Sequence, residues 1–94
     1  NDGDQILAYR RKDLVFVFNF NPTRSFADYG FLVPRGAYDV VLNTDNKQFG
    51  GFGFSDDSLR HFTCADPLYA KDKKEWLKLY VPARSAVVLK RVKD

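Results

Sequence analysis

Apolar and polar residues alternate with a period of two along most of this chain, and that period marks half-buried strands. Ile6 to Arg11 reads as a first short strand. Lys12-Asp13 makes the turn, where Asp is suited to local backbone hydrogen bonding. Leu14 to Phe20 follows, and the two strands are expected to pair as a hairpin. Leu14, Phe16, Phe18 and Phe20 share one face, while Val15, Val17 and Asn19 share the other. The first set is expected to form the core face of a central strand. Val15 and Val17 then make the opposite face unusually apolar for a small sandwich that shows alternate residues to water.

After the break at Asn21-Pro22-Thr23, Tyr29 to Val33 reads as a third strand. Pro34-Arg35-Gly36 is a turn, because Pro fixes φ and Gly accepts the positive φ of tight turns. Ala37 to Asn43 alternates cleanly, with Tyr38, Val40 and Leu42 on one face and Ala37, Asp39, Val41 and Asn43 on the other. The stretch NTDNKQFGGFGFSDDS reads as a long loop, a kind that is often functional or binds a neighbour. Leu59 to Cys64 reads as a short strand and ADPLYAKDKKE as loop. Trp76 to Val81 and Ser85 to Val92 are the last strands, joined at Pro82-Ala83-Arg84. There is no helical stripe of useful length and no internal repeat. Many short strands separated by Gly and Pro turns imply an all-β fold, an antiparallel β-sandwich with Greek-key-like connections.

Composition narrows the function classes. Ninety-four residues suffice for one domain and one core. The net charge is +3, with 15 Lys and Arg against 12 Asp and Glu. That excess is mild beside the dense basic face of a nucleic-acid module, so no nucleic-acid partner is expected. The clusters Arg10-Arg11-Lys12, Lys71 to Lys74 and Lys90-Arg91-Lys93 read as solvated strand faces and a charged loop. The lone Cys64 excludes an internal disulfide and fits a reducing compartment. No apolar run approaches the roughly 18 residues of a membrane span, so no membrane partner is expected. No signal peptide is visible. The chain starts at Asn1, and it reads as a piece excised from a larger protein.

Candidate chemistry is sparse. Asp45, Asp56, Asp57 and Asp66 fall in loops or at strand ends, and nothing in their spacing fixes a carboxylate pair of the kind that cleaves glycosidic bonds. His61 with Ser58 and Asp66 lacks a nucleophile elbow and an oxyanion loop. One Cys and one His do not make a structural zinc site, and NTDNKQFGG lacks the ligand alternation and terminal Glu of a calcium loop. No metal is therefore expected. The glycines of FGGFGF open no helix and make no phosphate cradle. Aromatics offer more. Trp76 and Tyr80 share a strand face with Lys78 between them, a row able to stack on pyranose rings, to stack on bases or to pack on a neighbour. Phe52 and Phe54 are further candidates for sugar stacking.

Several segments together carry a resemblance. They are LVFVFNF, the NPTRSFADY that follows, GAYDVVLNTD, FGGFG and the closing LYVPARSAVVLKR. From Leu7 to Arg91 the chain resembles the C-terminal all-β domain of 1,4-α-glucan branching enzymes in the α-amylase superfamily. The resemblance implies that residues 1–94 are a single C-terminal domain, with a catalytic (β/α)8 barrel upstream in the parent. It implies a cytoplasmic parent that transfers α-1,4-glucan segments to form α-1,6 branches in glycogen biosynthesis, without a cofactor. Its acidic catalytic residues sit in the barrel, so none is assigned to this chain. The domain is then expected to stabilise the barrel, its partner in the same chain, with α-glucan as a further possible contact. Val15 and Val17 are the candidate interface with that barrel. The rival expectation is a self-standing carbohydrate-binding module that stacks α-glucan on Trp76, Tyr80, Phe52 and Phe54.

Overall fold

A computed structural model describes residues 5–44 and 60–92. The strands are β1 (Ile6–Arg11), β2 (Leu14–Asn19), β3 (Phe26–Pro34), β4 (Ala37–Asn43), β5 (His61–Phe62), β6 (Lys74–Val81) and β7 (Ser85–Val92). They form a five-stranded sheet in the order β1-β2-β7-β4-β5 and a two-stranded sheet of β3 and β6. Every strand pairing is antiparallel. The two sheets face each other across one core, so the expected sandwich is the observed fold.

The β1–β2 hairpin forms as the alternation predicts, with Ile6 opposite Asn19 and Arg11 opposite Leu14. Lys12 turns the corner at φ 53°. The face that β2 buries is the reverse of the one expected. Val15 and Val17 are 2% and 0% exposed, whereas Leu14, Phe16 and Phe18 are half-buried and Phe20 is 61% exposed. Val15, Val17 and Asn19 lie beside Leu89, Val87 and Ser85 of β7, and all six are buried. From the facing sheet Phe26, Phe31, Val33, Leu77, Leu79 and Val81 complete the core. Val15 and Val17 are thus covered by this chain itself and need no outside neighbour, which corrects their assignment to an interface. Periodicity could not choose between the faces because both are apolar. Asn19 is accommodated on the buried face because its amide hydrogen-bonds carbonyls at the junction of the two sheets.

A bulge explains a second difference. The β4–β7 register shifts between Val40 and Leu42, leaving Val41 as the extra residue. A bulge flips the alternation beyond it. Tyr38 therefore points inward with Val40, but Leu42 turns outward and Asn43 inward. A similar shift in β3 between Phe26 and Tyr29, with Asp28 at φ 51°, lets the strand begin before its clean alternation does.

The short strand expected over Leu59 to Cys64 is confined to β5 among the described residues. Cys64 then bridges to Trp76 of β6 through N–H···O bonds of 2.7 and 2.9 Å, so this segment ties one sheet to the other. The expected loop that follows holds a 3-10 helix, Pro67–Asp72. Asp66 caps it and Pro67 opens it, an arrangement in which the missing N–H of Pro costs nothing.

Candidate functional site

The polar residues of NFNPTRS form a structural corner. Asn19 Nδ2 donates to the carbonyls of Arg24 at 3.0 Å and Pro82 at 3.1 Å, and approaches that of Val81 at 3.3 Å. Asn19 Oδ1 accepts the Asn21 N–H at 2.9 Å. Asn21 Oδ1 in turn accepts the N–H groups of Thr23 and Arg24, an Asx turn that folds the chain back. Ser25 Oγ accepts the Ala83 N–H at 2.9 Å, and Ser85 Oγ donates to Pro82 at 2.6 Å. These side chains fasten the β2–β3 connection to the β6–β7 turn, where carbonyls leaving the sheets would otherwise be unpaired. The signal in the sequence was a single Asn in an otherwise apolar strand.

The Trp76 row lies on the outer face of β6, where Trp76, Lys78 and Tyr80 alternate with buried Leu77, Leu79 and Val81. Trp76 is fixed in place. Its indole N–H donates to Asp66 Oδ2 at 2.9 Å, and the Tyr69 ring meets it at 5.8 Å and 88°. A Cβ built on Gly30 of β3 would come within 3.2 Å of Trp76 Cε3, so the indole rests on bare backbone. Asp66 Oδ1 accepts the Leu68 N–H at 3.0 Å. The Trp76 indole N–H, and secondly the Leu68 N–H, hold the Asp66 carboxyl below its usual range. Tyr80 is 39% exposed, about 13 Å further along the strand at the usual rise. The structure thus puts Trp76 and Tyr80 on one face. Phe52 and Phe54 lie outside the described residues.

A second aromatic row stands on the outer face of the five-stranded sheet. Tyr9 of β1 lies opposite Phe16 of β2, with ring centroids 4.9 Å apart and planes at 13°. Tyr9 also stacks near Phe18 at 6.1 Å, and Phe18 near Phe20 at 6.0 Å. Leu7 pairs with Phe18 on one side, and Ala86 and Val88 of β7 continue the face on the other. Leu7, Tyr9 and Leu42 are 50%, 45% and 40% exposed. The sequence reading placed Phe16, Phe18 and Phe20 in the core and so missed this row.

Three carboxylates among the described residues, Asp39, Asp66 and Glu75, are engaged in scaffolding. Asp39 pairs with Arg60 at 2.8 and 3.1 Å, and the Arg60 hydrogen bond holds the Asp39 carboxyl low. Thr63 Oγ1 donates to Glu75 at 2.6 Å. In the triad that can be written with His61, Asp66 is bonded to Trp76 and Leu68, and Ser58 lies outside the described residues. Among the described residues no group of three His, Cys, Asp or Glu is placed to hold a metal ion. A groove beside the 3-10 helix is lined by Arg35, Lys73, Glu75 and Arg91, but the Arg91 guanidinium there donates to the Arg35 carbonyl. No helix among the described residues is long and apolar enough to cross a membrane.

Comparison with known proteins gives a consistent result. Residues 1–92 match the family model described as the alpha amylase, C-terminal all-beta domain. A protein of Emericella nidulans named 1,4-alpha-glucan-branching enzyme is 41% identical over 90 residues, which is 95% of this chain and 13% of that protein. The enzyme of that name from Saccharomyces cerevisiae is 39% identical over 95% of this chain and 12% of its own length. That from Dictyostelium discoideum is 39% identical over 98% and 13%. The chain therefore spans about an eighth of the length of these relatives.

Proposed function

This chain belongs to the alpha-amylase C-terminal all-beta domain family, and from that premise we propose that it is the non-catalytic C-terminal domain of a 1,4-α-glucan branching enzyme. The observation that carries the reading is likeness over almost the whole chain, at 39–41% identity, to branching enzymes of which it matches only about an eighth. The parent is a cytoplasmic transferase that moves α-1,4-glucan segments onto 6-hydroxyls in glycogen biosynthesis. Its acidic nucleophile and acid/base lie in a catalytic barrel that this domain stabilises. Asp39, Asp66 and Glu75 support this division of labour, since each is occupied by a structural hydrogen bond. The test is incubation with amylose. The parent forms α-1,6 linkages and the 94-residue chain alone forms none. New branches made by the isolated chain would overturn the proposal.

A second reading, a module that stacks α-glucan, is favoured by the shared face of Trp76 and Tyr80. Titration with maltoheptaose, followed by Trp76 fluorescence, separates the two. A saturable shift abolished by Tyr80→Ala in a folded chain establishes glucan binding, and no response at millimolar sugar leaves the scaffold role.

A further inference from the structure

We infer that the outer face of the five-stranded sheet, centred on Tyr9, Phe16, Phe18 and Phe20, is the surface on which the rest of the parent polypeptide docks. This inference rests on the proposal that the chain is one domain of a larger protein, and it assigns the face that meets the remainder. Tyr9 and Phe20 are 45% and 61% exposed and Phe16 and Phe18 are half-buried, and Leu7, Leu42, Ala86 and Val88 extend the same face across β1, β2, β7 and β4. A contiguous apolar face of a few hundred Å² is of the size that is often functional on a protein surface.

Ring geometry selects the class of occupant. Tyr9 stacks with Phe16 at 13°, and Phe18 with Phe20 at 11°. The rings thus turn their faces toward one another, whereas a sugar would need those faces free. Edges and aliphatic side chains remain, and these suit an apolar protein surface. Size selects among proteins. Four strands at about 4.8 Å spacing by six residues at about 3.3 Å project to roughly 400 Å². A stable dimer buries about 800 Å² per partner, so a second copy is poorly matched. Contacts between domains of one chain are smaller, at about 300–750 Å² per side, and tethering supplies the effective concentration. The similar relatives carry some seven-eighths of their length beyond the matched part, from which such a surface is available. Charge adds a register. Arg11 and Lys90 flank Leu14 in the outermost row of this face, so the docking surface carries carboxylates on that side.

Hydroxyl-radical footprinting tests the assignment by comparing the 94-residue chain with the full-length parent. Tyr9, Phe16, Phe18 and Phe20 react readily in the isolated chain. In the parent their reactivity falls to that of the buried Tyr38, and Phe16→Lys/Phe18→Lys restores reactivity at Tyr9 and Phe20. The same double variant of the isolated chain keeps cooperative urea unfolding and the emission of Trp76 on the other sheet, which shows that the face and not the fold was lost. Equal reactivity in chain and parent overturns the inference. So does protection of these rings in the isolated chain by maltoheptaose, which assigns the face to sugar. Concentration-dependent protection matched by sedimentation as a dimer overturns it in favour of a second copy. Branching activity is assayed on the same parent sample. A protected face without branching removes the enzyme assignment and keeps the docking surface. Full branching with an unprotected face does the reverse.

Discussion

The two outer faces of this sandwich both carry an aromatic row, and the rows are built differently. On the two-stranded sheet Trp76 is held by a carboxylate, by the Tyr69 ring and by the bare backbone of Gly30. On the five-stranded sheet Tyr9, Phe16, Phe18 and Phe20 are held chiefly by one another. The first row is completed within the domain. The second is ordered by mutual stacking and still presents apolar surface outward. Exposure alone does not separate them, since Tyr80 at 39% and Tyr9 at 45% are nearly alike. What separates them is how each ring is anchored by the chain itself.

The largest effect should follow from removing the anchored ring. Trp76→Ala forfeits the Gly30 and Tyr69 contacts and leaves Asp66 without its indole donor. It is expected to destabilise the isolated chain by about 2–3 kcal/mol in urea unfolding. Phe18→Ala, which truncates a half-buried ring, is expected to cost about 1 kcal/mol in the same assay. If the two losses were equal in the isolated chain, the distinction between a completed and an open row would fail. In the full-length parent the Phe18→Ala loss should grow, because docking buries that ring, while the Trp76→Ala loss stays as it was.

Gly30→Val probes the support beneath the indole. A Cβ there already sits at 3.2 Å from Cε3, and the γ-methyls intrude further. Trp76 must move, so a loss of about 1–2 kcal/mol is expected even though Val favours strands. A shift of the Trp76 emission should accompany it. Unchanged emission with unchanged stability would show that the ring does not rest on Gly30.

The comparison also explains what the sequence could reveal. Strand positions were legible because turns at Lys12-Asp13, Pro34-Arg35-Gly36 and Pro82-Ala83-Arg84 punctuate the alternation. Ser85–Val92 and Ala37–Asn43 fall where the pattern puts them. The inward face of β2 was not legible, because Leu14, Phe16 and Phe18 are as apolar as Val15 and Val17. Only the partners supplied by β3, β6 and β7 settle which set is covered. The outward turn of Leu42 depends on the bulge at Val41, and a bulge leaves no mark on composition. Outward placement of Trp76 and Tyr80 followed correctly from alternation along β6. That Asp66, ten residues earlier, would fasten the indole depended on a short 3-10 helix whose polar sequence had read as loop.

The smallest expected effect is a pH dependence confined to the anchored row. The Trp76 indole N–H and the Leu68 N–H favour the charged form of Asp66, so its pKa in the fold lies below the ordinary aspartate value of 3.8. A carboxyl depressed by folding adds stability above its unfolded pKa and loses it as pH falls through the folded value. The added stability is therefore complete near neutrality and declines below pH 3.8. Asp39 is depressed as well, by its hydrogen bond to Arg60, so the acid limb of the native chain mixes both groups. Asp66→Asn isolates one of them, because the amide keeps an acceptor oxygen but does not titrate. The stability gap between native chain and Asp66→Asn should narrow as pH falls through this range, with Trp76 emission following the same curve. Phe18→Ala should differ from the native chain by a constant amount across it, since no depressed carboxylate anchors that row. A gap for Asp66→Asn that stays constant with pH would mean that the carboxylate's charge contributes nothing to holding Trp76, and the anchored row would then rest on packing alone.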